Sequence, residues 1–444
     1  MTTWLKKWAP EDPQFWKETG SKIAWRTLTI TTITLVLSFA TWFLMSALVV
    51  RLPNIGFKYT AMQLFWLAAM PGLAGGTLRM VHTFLIPLFG TRRVITIATL
   101  LKLFPAVGIG LAVLNPQTPF WLFLILAFSA GLGGGDFSSY MPSTSLFFPK
   151  RLQGTALGIQ AGIGNFGVSL VQFLTPWIIG FAAFGTLVGS PQVFTKGEVT
   201  KNIWLQNAAF VYLPLLIIMG ILAWVFLRSV PVRASFREQL DIFKNKHTWF
   251  CTMTYVMTFG SFSGFSAAFP LMIRSLYGGF LDAPDPLKFA FLGPLIGSLI
   301  RVAMGPVSDK LGGARLTTLS GVVMLTSGLL LVFSGVLTPI SVGQFPLFVA
   351  LMLIVFLASG MGNASTFRQY PIIFAHSPRQ GAGVLGWTGA VAAYGPFIWS
   401  SLIGLAITKT GSPIPFFYGI AGYYLIATFV NWYYYQRKGC EVPS

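Results

Sequence analysis

Apolar runs long enough to cross a bilayer recur twelve times along the chain, separated by short segments rich in charge, proline or glycine. A spanning helix needs about 20 predominantly apolar residues. The runs cover residues 27–50, 61–88, 94–114, 119–146, 152–182, 204–227, 248–273, 288–308, 316–337, 343–367, 381–408 and 414–436. Several exceed the hydrocarbon thickness, which predicts tilted or kinked helices, and Pro71, Pro105, Pro176, Pro294 and Pro396 fall inside them. Residues 1–26 contain no apolar h-region, so no cleavable signal peptide is expected. They read as an amphipathic, tryptophan-bearing segment at the membrane interface. The pattern predicts an all-α polytopic membrane protein with twelve transmembrane helices.

Composition excludes the soluble alternatives. Of 444 residues, 54% are hydrophobic and only 9% charged, and mean hydropathy is +0.71. A soluble surface carries about 25% charged residues. The net charge of +19 would suggest nucleic acid in a polar protein, but here most of it must lie between spans, so no nucleic-acid partner is expected. Nineteen of the thirty cations fall in the termini and alternate loops. Seven lie on the opposite side: Arg51, Lys58, Lys196, Lys201, Arg274, Lys288 and Lys409. The positive-inside rule therefore puts both termini in the cytoplasm. Four cations remain within spans: Arg79, Lys102, Arg301 and Arg368. Cys251 and Cys440 are too few for a disulfide framework and form no metal motif. With three histidines (His82, His247, His376) and no cofactor motif, neither a metal nor a cofactor is expected, and an enzyme is disfavoured.

The longest charged loop divides the chain into a cytoplasmic segment 1–26, a six-helix half 27–227, a linker 228–247, a second half 248–436 and a tail 437–444. The halves match each other. GGTLRMVHTFLIPLFGTRR ends at Arg93 and GSLIRVAMGPVSDKLGGAR ends at Arg315. Gly75, Arg79, Gly90 and Arg93 correspond to Gly297, Arg301, Gly312 and Arg315, each displaced by 222 residues. GIQAGIGNFG (158–167) and GWTGAVAAYG (386–395) are displaced by 228. Duplicated six-helix halves with a site between them near the midplane describe one class of secondary transporter.

This layout resembles the major facilitator superfamily, and GPVSDKLGGAR looks like its loop motif between the second and third spans of each half. AGIGNFGVS (161–169) closely resembles a signature segment of the nitrate/nitrite porter family, and GWTGAVAAYG resembles it more loosely. FFPKRLQGTALG (147–158) and FGSFSGFSAAF (259–269) are similar to that family as well. The resemblance runs from PEDPQFW (10–16) to the last span. It implies the major facilitator fold, a multi-pass protein of a bacterial inner membrane, and nitrate or nitrite as substrate.

Arg79 and Arg301 carry the chemistry. An arginine at the centre of a spanning helix costs at least about 2.5–3.5 kcal/mol, so it must face a partner or a wet cavity. Their matching positions bring them together across the central cavity, where forked, permanently charged donors suit a trigonal oxyanion. Carboxylate partners are the alternative, yet ten of the eleven acids lie in loops or tails and only Asp136 is intramembrane. Asp136 and Lys102 fall at depths within roughly 2 Å of each other on consecutive spans. They read either as a buried ion pair or as a protonation site coupled to transport. His82, one turn from Arg79, is a helix contact or a proton-transfer group.

Gly162 and Gly164 serve close helix packing, and the resemblance implies that backbone there also meets substrate. It further implies that Asn165 hydrogen-bonds the anion, that Phe39, Phe137 and Phe259 flank it, and that Tyr255 donates a hydroxyl. In the second glycine run Thr388 and Gly389 are the candidates to complete the site. Gly90, Arg93, Asp309, Gly312 and Arg315 form the gating-type loop motif. The expectation is a monomeric secondary transporter importing nitrate by proton symport through alternating access. Nitrate/nitrite antiport by the same site is the alternative, and an anion channel is the alternative of a different class.

Overall fold

The computed structural model describes residues 4–231 and 237–444. Part of the linker expected at 228–247, including Arg233, lies outside the described residues, as do the side chains of Lys150, Arg237 and Arg379 that helped assign the orientation. Among the described residues twelve helices are long and apolar enough to span a membrane. They are α1 Pro13–Trp42, α2 Ala61–Phe89, α3 Thr91–Ala112, α4 Phe120–Phe147, α5 Arg151–Ile178 and α6 Asn207–Phe226 in the first half. The second half holds α7 Lys246–Tyr277, α8 Leu287–Leu311, α9 Gly313–Phe333, α10 Val342–Ile373, α11 Gly383–Thr410 and α12 Ile414–Gln436. Each coincides with one apolar run.

The largest boundary difference is at α1, which begins at Pro13 rather than near 27. Asp12 sets that start: its carboxylate accepts from the backbone N–H of Gln14 and Phe15, with Pro13 at the first helical position. These are cap signals, which a hydropathy scan does not register. The α-helix of α1 ends at Trp42, and a further helical turn at Leu44–Leu48 carries the run to near residue 50. One element is not helical. Gln192–Lys196 (β1) and Val199–Ile203 (β2) form an antiparallel hairpin between α5 and α6, turning at Gly197 with φ 58°.

The internal repeat is visible in the backbone. Gly90 and Gly312 close α2 and α8 with φ of 78° and 90°, where a β-carbon would be strained. Between the halves, small residues permit direct helix contact. The backbone of Gly72 lies against Pro396 and Phe397, and Gly76 lies under the Tyr394 ring. Polar ties concentrate on the cation-poor side. Arg51 Nη2 donates to both carboxylate oxygens of Asp285, at 2.7 and 2.8 Å. Arg274 donates to the Val50 carbonyl and to Asn54, and Lys196 donates to the Ala283 carbonyl. Burial holds the Lys196 ammonium below the ordinary lysine range, against the opposing pull of Asp285.

Breaks in α-helical geometry at three spans lie beside polar or site residues. The helix of α3 is interrupted at Lys102. That of α4 is interrupted through Gly131–Asp136. In α7 a π-turn spans Val256–Gly260, a distortion that re-aims side chains and recurs at functional sites.

Candidate anion-binding site

Arg79 projects from α2 into the protein and is fully buried. Its Nε donates to the Gly134 carbonyl at 2.8 Å and its Nη1 to the Gly389 carbonyl of α11 at 2.7 Å. Four rings surround it: Phe137 at 4.7 Å, Trp42 at 5.2 Å, Phe259 at 5.3 Å and Phe39 at 6.0 Å from the guanidinium carbon. Such faces stabilise a desolvated cation without neutralising it. Nη2 has no hydrogen-bond partner among the described residues.

Arg301 of α8 is the counterpart. It is 6% exposed, and its Nη2 donates to the Tyr255 hydroxyl at 3.4 Å while Nη1 has no partner among the described residues. Phe367 lies 5.0 Å and Phe259 5.8 Å from its guanidinium carbon. Phe259 is thus shared by both arginines. Tyr255 and Phe259 stack 5.5 Å apart across the π-turn of α7. Among the described residues no carboxylate forms an ion pair with either arginine.

Asn165 is placed by the face it occupies. Gly162, Asn165, Ser169 and Gln172 form one stripe of α5. Gly162 meets Val302, Ser169 donates to the Phe291 carbonyl and Gln172 donates to the Ser266 carbonyl, so the stripe lies against the second half. Both polar atoms of Asn165 are buried and unpartnered among the described residues, as is Ser298 Oγ across the interface. Gly164 points elsewhere and packs against Leu35 of α1. The two glycines therefore serve different helix contacts, because positions two apart are about 200° apart around a helix.

The second-half candidates make the following contacts. Thr388 Oγ1 donates to the Leu385 carbonyl. Gly389 is at the site: its carbonyl accepts from Arg79, and its Cα face lies against Arg79 and Phe137. Asn363 of α10 was missed by sequence reasoning. It is fully buried, and neither of its polar atoms has a partner among the described residues. The signal lay in the repeat: GGGDFSS (133–139) aligns with GMGNAST (360–366), which sets Asn363 opposite Asp136 at a displacement of 227. Trp42 and Phe367 were also missed, since among so many aromatic residues neither is distinguishable by sequence.

Lys102 and Asp136 form a fully buried ion pair. Lys102 Nζ also donates to the Ala98 carbonyl, and Ser38 donates to Asp136 Oδ2 at 2.6 Å. His82 shares a 3.0 Å hydrogen bond with Ser139 and sits 3.9 Å from Asp136 Oδ1. A cavity of about 270 Å³, lined by Leu85, Phe89, Arg93, Ile97 and Leu101 among others, reaches His82 and Asp136. In the loop motif Arg93 lines this cavity, and Asp309 pairs with Arg368 of α10 at 2.6 Å. That contact is within the second half and too exposed to contribute much alone. Arg315 is exposed.

Two buried guanidinium groups, one from each half, thus share an aromatic ring, each with one unpartnered nitrogen and no paired acid among the described residues. Such a place attracts a small monovalent anion and is unfavourable without one. A sequence profile of the Major Facilitator Superfamily matches residues 30–400. The "Probable nitrate/nitrite antiporter NarK2" of Thermus thermophilus is 60% identical over 442 residues, covering 99% of this chain and 98% of that protein. The chain belongs to the nitrate/nitrite porter family of the major facilitator superfamily. A second family member, the "Nitrate/nitrite transporter NarU" of Escherichia coli K12, is 37% identical, covering 98% of this chain and 96% of its own. The fold is that of a solved bacterial homologue of the human lysosomal transporter Spinster. The match has a TM-score of 0.61 at 13% identity and covers 92% of this chain and 93% of that one. The protein is accordingly a multi-pass membrane protein of a transporter superfamily.

Proposed function

We propose that the chain exchanges nitrate for nitrite across a bacterial inner membrane by alternating access, as a monomer with both termini cytoplasmic. The observation that carries this reading is the pair Arg79 and Arg301: buried, one from each half, each with an unpartnered donor and no acid beside it among the described residues. Nitrate fits such a site because it is flat, monovalent and weakly hydrated, so forked donors and aromatic faces suffice. The printed names of the relatives support the substrates. No covalent chemistry enters.

Entry of the anion needs charge compensation, which exchange supplies as proton co-entry also would. A membrane potential negative inside opposes anion entry by about 2.3 kcal/mol per 100 mV. Swapping one monovalent anion for another moves no net charge, and among the described residues no carboxylate is paired with Arg79 or Arg301. Asp136, the intramembrane acid, is already paired with Lys102. Proton symport is the second reading, and the observation in its favour is the 3.9 Å approach of His82 to Asp136 beside a cavity. Proteoliposomes separate the two. Labelled nitrate should accumulate against internal nitrite without a pH gradient, and uptake that requires the gradient and ignores internal nitrite would replace exchange by symport. Current that follows voltage without counterflow would indicate a channel.

With both termini cytoplasmic, the ties between halves on the cation-poor side would hold the transporter closed to the outside. Asp285→Asn leaves Arg51 without its counter-charge and one of its two acceptors. The closed state should then lose about 1.4 kcal/mol, and labelling of Ser169→Cys by an external, impermeant thiol reagent should rise about tenfold. Unchanged labelling would show that the pair does not hold this side shut.

A further inference from the structure

Helix α10 carries a stripe formed by Gly360, Asn363 and Phe367, spaced three and four residues apart. Both ends of the stripe meet α8. Gly360 lies against the Gly297 backbone, and the Phe367 ring lies 5.0 Å from the Arg301 guanidinium. Asn363 lies between them on this stripe. Its side chain is fully buried, and Nδ2 and Oδ1 have no partner among the described residues, nor has Arg301 Nη1. A buried amide with four unused hydrogen-bonding positions is costly unless something polar meets it.

The matching position in the first half differs in charge. There Asp136 is neutralised by Lys102. At the displacement of 222 that relates Arg79 to Arg301, Lys102 corresponds to Met324, which is buried beside Ser320. The same place in the repeat therefore holds an ion pair in one half and a neutral Met–Asn combination in the other. An acid at 363 without a lysine at 324 would lie beside Arg301 and cancel the charge that attracts the anion. An amide there leaves Arg301 cationic and supplies a donor.

We infer that Asn363 is the second-half substrate residue, donating its amide N–H to the anion held by Arg301. This rests on the two-arginine reading of the site, and it adds a second-half side chain to the candidates Thr388 and Gly389. The first half then contributes Asn165 and Arg79, and the second Asn363 and Arg301.

The test uses the full chain in proteoliposomes, with nitrate and nitrite as probes and thermal stability measured without either. Asn363→Ala should raise the nitrate KM by about 10- to 100-fold, the weight of one hydrogen bond to a charged partner, and change the nitrate-to-nitrite KM ratio. Asn363→Asp should abolish saturable nitrate uptake. Adding Met324→Lys, which copies the Lys102–Asp136 pair, should restore measurable uptake. Asn363→Ser serves if the alanine variant does not fold. A nitrate KM and a KM ratio within twofold of the parent for the alanine or serine variant would overturn the inference, as would full nitrate affinity in Asn363→Asp. Wild-type protein that is folded but takes up no nitrate would instead remove the two-arginine reading on which it rests.

Discussion

Replacing Arg301 by lysine should abolish saturable nitrate transport, lowering kcat/KM by more than about 100-fold, while the purified protein keeps its melting temperature to within a few degrees. Lysine retains the charge but loses the planar fork, and a point charge on a flexible stem cannot hold a trigonal anion by two parallel bonds. Arg301 makes one hydrogen bond of 3.4 Å to Tyr255, so little of the surrounding structure depends on it. Arg79→Lys should be as damaging to transport and more damaging to the fold. Its Nε and Nη1 tie α2 to the α4 break at Gly134 and to Gly389 in the other half. The pair of variants thus separates anion capture from the linkage between halves. Equal, near-normal nitrate affinity in both would remove the arginines from the site.

The second large effect concerns the buried pair. Asp136→Asn leaves the Lys102 ammonium with no counter-charge in a fully buried position, and breaking such a pair costs about 3–5 kcal/mol. The single variant should express poorly and melt far below the parent. The double variant Lys102→Met, Asp136→Asn installs the neutral combination that Met324 and Asn363 already provide in the second half. It should recover most of that stability. Its transport then decides the role of the pair. Retained nitrate/nitrite exchange makes the pair structural, whereas a stable double variant that has lost proton-linked nitrate uptake assigns Asp136 to proton coupling.

Several of these residues were legible in the sequence because charge inside an apolar run is a loud signal. Arg79, Arg301, Lys102 and Asp136 were located that way. The pairing of the last two followed from their equal depth on consecutive spans, and the twelve spans followed from run length alone. What escaped was carried by direction or by neutral groups. Hydropathy cannot show that Gly389 turns its carbonyl toward Arg79, nor that Gly162 and Gly164 face different helices. Asn363 sits among glycine, serine and threonine, where an amide does not stand out until the halves are aligned through GGGD and GMGN. The π-turn that sets Tyr255 and Phe259 beside Arg301 and Arg79 has no signature in the VMTFG segment. The early start of α1 was encoded locally in Asp12 and Pro13, outside the apolar run.

The central claim is that one anion lies between Arg79 and Arg301. A structure determined with nitrate tests it most directly. The account predicts flat, trigonal density within hydrogen-bonding distance of Arg79 Nη2 and Arg301 Nη1, over the edge of Phe259 and within reach of the amides of Asn165 and Asn363. Nitrate bound elsewhere, with the two guanidinium groups still unbridged at saturating concentration, would contradict it.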